Sequence, residues 1–432
     1  MLDFLQEIFF TFIIACQFGT DIFLLTSAFL GTYKCIQIYE ANGGKLHFTD
    51  VLKMYGRKYL RLAPMLYLAF FVGWVITPRL KDSPAWPATN QLFYKCDQYW
   101  WAQILFIGNI VPFFVEVTCG CFYWAWIVYC DMQLYLLIPI FVVIYKKSRM
   151  AGILTQFILS AFSLILLMFV AQEYNLKAGP LSAEGYYMFA NMTNKPWGKF
   201  ASYALGVLLA FTYMDILSYR KIDNDNVKRE CYPKIHILHT QAWISYIGAL
   251  ISLPLIPFTL LIGYDANKDP YQWTQLTDDA YYAFNKYIFM LCVTFLLLAV
   301  LVGHLNFLKV MFKNSYCRAG GKICFEASLV APVMVTFLYF GQENSVYLSD
   351  PNSLIFGGGH IACMTLLGFM MYVFIEYPLN TGIKILTQGK LSHEPLLRAH
   401  FYQENPRQSD MMTDGTRQKL LDMLHKIKGI EQ

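Results

Sequence analysis

Two carboxylates, Asp21 and Asp131, fall inside or at the edge of long apolar stretches. A carboxylate among apolar side chains is costly, so each marks either a functional position or half of a buried pair, with Arg61 or a tyrosine as partner. Asp131 and Gln133 stand beside Trp124 and Trp126, which also fits an interfacial aromatic belt with one acid in the polar zone. Arg57 and Arg61 are four apart and share one helical face, where two guanidinium forks could clamp a phosphate or pyrophosphate. Their alternative role is flanking charge beside an apolar run. His236 and His239 follow Cys231 at loose metal-like spacing but lack a second ligand pair, so no metal is expected. His304 ends an apolar run, where it suits a helix C-terminus. His360 follows Gly357, Gly358 and Gly359 at a helix start, which suits packing more than chemistry.

The elements that must position these groups are membrane helices. Of 432 residues, 56% are hydrophobic and only 15% charged, against roughly a quarter charged in a soluble chain. Apolar stretches of about 20 residues, enough to cross about 30 Å of hydrocarbon, recur throughout. They lie near 8–32, 62–78, 126–145, 151–171, 200–217, 240–264, 287–306, 323–341 and 355–377. A further stretch near 100–116, with Asn109, Pro112 and Glu116, reads as a packed or re-entrant segment. The expected fold is therefore all-α, a polytopic bundle of nine to ten transmembrane helices over 1–378. A polar tail follows over 379–432, in which 413–428 forms a short amphipathic helix through Leu420, Leu424 and Ile427. Gln17 and Asp21 interrupt the first span, which has no basic leader and does not read as a secretory signal.

Basic residues alternate between loops. Lys34, Lys45, Lys53, Arg57, Lys58 and Arg61 precede the second span, and Lys146, Lys147 and Arg149 follow the third. Arg220, Lys221, Lys228, Arg229 and Lys234 lie between the fifth and sixth, and Lys309, Lys313, Arg318 and Lys322 between the seventh and eighth. The remaining loops are acidic or neutral, with Asp265, Asp269, Asp278 and Asp279 in one. Retention of Lys and Arg on the inner side then predicts an outer N-terminus and an inner tail. The net charge of +5 is spread over these loops, so no nucleic-acid partner is expected.

Several segments carry a resemblance. They are Cys96-Asp-Gln-Tyr-Trp-Trp101, Ile107-Gly-Asn109 with Pro112, Cys121-Phe-Tyr-Trp-Ala-Trp126 and Asp131-Met-Gln133-Leu-Tyr135. Together they resemble the acyltransferase 3 family of membrane acyltransferases, in its nose-resistant-to-fluoxetine-like branch. Asp21-Ile-Phe-Leu-Leu-Thr-Ser-Ala28-Phe-Leu30 is similar to that family's D-x-F-F-x-L-S-G-F-L, with Ala28 for the usual glycine. Arg57-Lys-Tyr-Leu-Arg61-Leu-Ala-Pro64 resembles R-x-x-R-L-x-P, Lys195-Pro-Trp197 with Tyr203 and Gly206 resembles K-P-W…Y-x-x-G, and Glu376-Tyr-Pro378 resembles E-x-P. The matches run in family order over most of the chain.

The resemblance implies transfer of an acyl group from a donor such as acyl-coenzyme A, held by Arg57 and Arg61, to an acceptor hydroxyl. That chemistry needs a base of near-neutral pKa, and the family places a histidine near the end of its first helix. Here Gln17 stands in its place in one alignment, and in the other the usual first helix is absent. A second family histidine, in the eighth span, is replaced by Ala331. The expected function is therefore that of a degenerate acyltransferase serving as a structural, lipid-contacting subunit of a membrane complex, with protein partners and no cofactor. The mitochondrial inner membrane suits it; endoplasmic reticulum and plasma membrane are alternatives. The competing expectation is an active O-acyltransferase acting on a lipid, sterol or sugar hydroxyl, with His304 or His360 as base. A transporter gains little, because no paired broken helices occur in inverted halves. The resemblance also suggests a Cys96–Cys121 bridge, hence an oxidising compartment on that side. Asn191-Met-Thr193 is a glycosylation sequon.

Overall fold

A computed structural model describes residues 8–76, 79, 93, 95–112, 121–178, 192–269, 271–340 and 350–388. The chain divides into two compact units, Met1–Pro378 and Leu379–Gln432. Among the described residues, nine helices are long and apolar enough to cross a membrane. They are α1 (Phe10–Ala41), α2 (Phe48–Ile76), α3 (Tyr123–Lys147), α4 (Arg149–Glu173), α5 (Trp197–Arg220), α6 (Ala242–Lys268), α7 (Gln275–Val302), α8 (Ser315–Tyr339) and α9 (Ile355–Gly382). This is an all-α polytopic membrane fold, and every apolar run read from the sequence has its helix. The predicted amphipathic helix at 413–428, Glu116 and the sequon's Asn191 lie outside the described residues.

Cross-helix contacts give the bundle two ends: Lys146 meets Glu40 and Arg220 donates to the Leu301 carbonyl at one, and Lys199 meets Asp21 and Lys177 meets Asp278 at the other. One carries the four basic connections; the other carries the Cys96–Cys121 disulfide and is called the disulfide end below. Two boundaries differ from the sequence reading in ways that matter. Helix α2 starts at Phe48 rather than near 62, so Arg57, Lys58 and Arg61 sit within the helix instead of before it. Helix α7 starts at Gln275 rather than 287, which brings Lys286 inside. In each case an apolar-run ruler stops at charges that the fold has found a way to hold.

Helices α1 and α5 pack closest. A side chain at Gly206 would collide with the Leu25 carbonyl and the Ala28 side chain, so glycine here sets the approach of the two backbones. Ala28 is the residue that replaces the family's glycine, and Gly206 opposite it supplies the space. In α3 the helical hydrogen bonding breaks before Pro139, and the Tyr55 hydroxyl donates to the Leu136 carbonyl at 2.7 Å. The stretch read as a packed segment contains a short helix, Cys96–Ile104, then irregular backbone through Pro112. Its polar groups are held inside: Asn109 donates to the Asn194 carbonyl at 2.8 Å and pairs with Gln133, which donates to the Phe106 carbonyl at 2.8 Å. Buried non-helical backbone persists where protein satisfies it.

Helices α8 and α9 pack chiefly against each other and turn most of their surface outward. The Trp124 indole, donating to the Leu329 carbonyl at 3.1 Å, ties α8 to the rest.

Candidate functional site

The first helix pauses at a 3₁₀ turn, Cys16–Phe18, and resumes at Gly19. That pause presents Gln17 and Asp21 to a cavity of about 220 Å³ at the disulfide end. Helix α5 contributes Lys199 and Ser202, and α7 contributes Asn285 and Lys286. A π-helical turn, Tyr281–Asn285, sits immediately before Lys286; such extra-residue turns are frequent at functional sites. Ile14, Leu164, Leu167 and Leu260 make an apolar wall.

Asp21 is 3% exposed and fully engaged. The Lys199 ammonium donates to both its oxygens at 3.1 Å, and the Ser202 hydroxyl donates at 2.9 Å. The partner is thus a lysine 178 positions away, not Arg61 or a tyrosine. The Lys286 ammonium lies 5.5 Å from the centre of the Phe18 ring, within electrostatic reach of Asp21 and Lys199. It has no hydrogen-bond or ion-pair partner among the described residues.

A second ionic cluster lies nearer the basic end. The Lys58 ammonium meets Asp131 at 2.8 Å, donates to Ser27 at 3.0 Å and sits over the Tyr135 ring. Of the pair Arg57 and Arg61, both are exposed, and Arg61 approaches Glu376 at 3.8 Å. Glu376 closes a π-helical turn, Tyr372–Glu376, and interacts with Glu326 of α8. Glu326 is wholly buried. Gln133 belongs with Asn109 in a third network rather than with Asp131.

Lys195, of the Lys-Pro-Trp motif, is 1% exposed and donates to the Asn109 carbonyl. Burial pushes its ammonium down to about 8. Among the histidines, His304 bridges Ser245 at 2.8 Å and the His239 carbonyl at 3.1 Å, just past the helix end at Gly303. His236 meets the Tyr219 hydroxyl at 3.1 Å. Burial and the neighbouring Arg220 guanidinium hold His239 below the ordinary imidazole range. No group of three or more metal-capable side chains gathers among the described residues. Neither His360 nor Ala331 lines the cavity, so the two positions where the family histidines were expected, Gln17 and Ala331, do not meet there. Cys96 and Cys121 are joined in a disulfide.

The site residues that sequence reasoning passed over are Lys199, Ser202, Lys286 and Glu326, while Lys58 was read among the basic residues before the second span. One signal was available: Lys199 and Lys286 flank apolar runs at the end opposite the basic loops, where cations are not explained by flanking charge.

Fold and site together define a polytopic membrane protein with an amphipathic cavity between helices and separate ion pairs buried in its bundle. The chain matches the acyltransferase domain family, acyltransferase 3, over residues 2–373. It belongs to that family. No curated protein and no solved structure matches it.

Proposed function

We propose that this family member binds in its cavity rather than catalyses there, and serves as a structural, lipid-contacting subunit of a membrane assembly. The carrying observation is the cavity lining. Acyl transfer to a hydroxyl needs a group that removes its proton near neutral pH. Among the described lining residues there is neither imidazole nor thiol; Gln17 offers an amide, and Asp21, the carboxylate, is already committed to Lys199 and Ser202. An amide neither accepts nor releases a proton at neutral pH.

The outward faces of α8 and α9 favour the subunit role. Gly320, Gly321 and Gly357 to Gly359 have open space beside them, and small residues let a neighbouring helix approach closely. In this reading the basic loops face the inner compartment and the disulfide end an oxidising one, an arrangement that the mitochondrial inner membrane and its intermembrane space accommodate.

The test is turnover of radiolabelled acyl-coenzyme A by the full chain in lipid nanodiscs, alongside native extraction. The expected result is no transfer or hydrolysis above empty nanodiscs, with stoichiometric protein partners in the native particle. Turnover above that background overturns the reading.

One observation favours the second reading, an active O-acyltransferase using acyl-coenzyme A held by Arg57 and Arg61. The buried Nδ1 of His360 has no hydrogen-bond partner among the described residues, which leaves that ring free to act as a base. Turnover abolished by His360→Ala would establish it.

A further inference from the structure

Among the described residues, the cavity lining holds one more ammonium than carboxylate. Asp21 neutralises Lys199 at contact distance, and Ser202 occupies part of the remaining acceptor capacity of that carboxylate. Lys286 then stands as a second cation on the same cavity, with the Phe18 ring beside it and no oxygen of the described residues bonded to it. No other described lining group is hydrogen-bonded to it; Asn285 and Asn267 turn their amide N–H groups to the Thr259 carbonyl at 2.9 Å and the Thr11 hydroxyl at 2.7 Å. A cation in a low-dielectric setting is strongly unfavourable unless an anion meets it. The partner that would hold Lys286 in its charged form is an oxyanion, and the space it would enter has Ile14, Leu164, Leu167 and Leu260 as its other wall.

We infer that this cavity binds the headgroup of a singly anionic amphiphile, with its carboxylate or phosphate on Lys286 and its chain along the α4 and α6 leucines. The inference rests on the reading of the cavity as a binding site and names the ligand that site takes. Lysine suits this role because its compact ammonium accepts oxyanions of different geometry, whereas the forked arginine favours bidentate ones. Selectivity comes from charge and the apolar wall. A zwitterionic headgroup brings a second cation toward Lys199 and Lys286, and a small inorganic anion leaves the leucine wall uncovered.

The experiment uses the full chain, delipidated and returned to phosphatidylcholine nanodiscs. Three probes are compared: tritiated palmitate, phosphatidylglycerol and inorganic phosphate. Retained ligand is counted by native mass spectrometry, and affinity is measured by titration. One palmitate or one phosphatidylglycerol per chain is expected, with affinity at least tenfold lower in Lys286→Met and largely kept in Lys286→Arg. Lys268→Met, at the same end but off the cavity, should bind as the unmodified chain does. Lys286→Met should also melt no lower than the unmodified chain without ligand, since it removes a cation facing Lys199. That second measurement separates lost binding from lost folding.

Binding undiminished in Lys286→Met overturns the inference, as does equal retention of phosphatidylcholine. Binding of inorganic phosphate as tight as that of either amphiphile overturns the amphiphile assignment. Palmitate retained in preference to phosphatidylglycerol identifies a fatty acid as the source, and the reverse identifies a phospholipid; each supports the shared chemistry. Acyl-coenzyme A turnover is read on the same preparation. Lys286-dependent binding with turnover sinks the non-catalytic reading alone, and neither binding nor turnover sinks the inference alone.

Discussion

Replacing Asp21 by Asn should destabilise the bundle more than replacing Lys199 by Met, although the two residues form one ion pair. Both side chains are nearly inaccessible, at 4% and 3% exposure. Breaking a buried pair from one side typically costs about 3–5 kcal/mol, because the survivor is left as an uncompensated charge. Here the two survivors differ. Asp21→Asn leaves Lys199 and Lys286 as two cations on one cavity with no anion between them, so its cost belongs at or above the upper end of that range. Lys199→Met leaves Asp21 with Lys286 within electrostatic reach, so its cost belongs at or below the lower end. The double variant Asp21→Asn/Lys199→Met leaves Lys286 alone and should recover stability relative to Asp21→Asn.

The assay is fluorescence-detected size-exclusion after graded heating in one detergent, comparing the three variants with the unmodified chain. The expected order of loss is Asp21→Asn first, then the double variant, with Lys199→Met mildest. Lys199→Met falling as far as Asp21→Asn would mean that Lys286 does not sense Asp21. The account of a cavity with one excess cation would then be wrong. No loss in either single variant would mean that water solvates both charges and that the pair is not buried in practice.

Lys58→Met should cost about 3–5 kcal/mol by leaving Asp131 unpaired at 3% side-chain exposure, and adding Asp131→Asn should return most of that loss in the same assay. For Lys195 the sign follows from its depressed pKa. Between about pH 8 and about pH 10.5 the folded chain has released this proton while the unfolded chain still holds it, so its contribution to stability rises with pH. Below pH 8 the cost of holding the charged form is about 3 kcal/mol, from 1.36 kcal/mol per unit. Melting temperatures of the unmodified chain and Lys195→Met, taken from pH 7 to pH 10, should therefore show a difference that moves in favour of the lysine as pH rises; a pH-independent difference refutes it.

The number and order of the helices were legible in the sequence because lipid imposes a length on each apolar run. Their boundaries were not always legible, and the two large errors share a cause. Lys58 and Lys286 look like flanks to a hydropathy ruler, yet one is held by Asp131 and Ser27 from α3 and α1, and the other faces a cavity. The carboxylates Asp21 and Asp131 stood out by their cost in hydrocarbon. Their partners did not, because Lys199 and Lys58 come from helices whose mutual rotation leaves no periodic trace in the chain. Gln17 was found by resemblance, and the cavity gives that position its meaning. Arg57 and Arg61 share a face as their spacing requires, but the face is exposed and its buried neighbour is Lys58, one position along.

The two ionic sites are separated along α1 by the very packing that holds the fold together. Asp21 serves the cavity and Ser27 serves Lys58; six helical residues set them about 9 Å apart along the axis. Leu24 and Leu25 fill that interval with no exposure, Ala28 just past it is equally buried, and Gly206 lets α5 close directly upon them. Acyl transfer needs the donor's carbonyl carbon and the acceptor hydroxyl within about 3–3.5 Å of each other, and along α1 this apolar interval lies between the Lys58 cluster and the cavity. Opening the bundle along this line would part the α1–α5 contact made at Gly206. A chain that instead keeps one cluster as a structural tie and the other as a lipid site has no need to open it, and that is the physical reason for preferring binding over turnover.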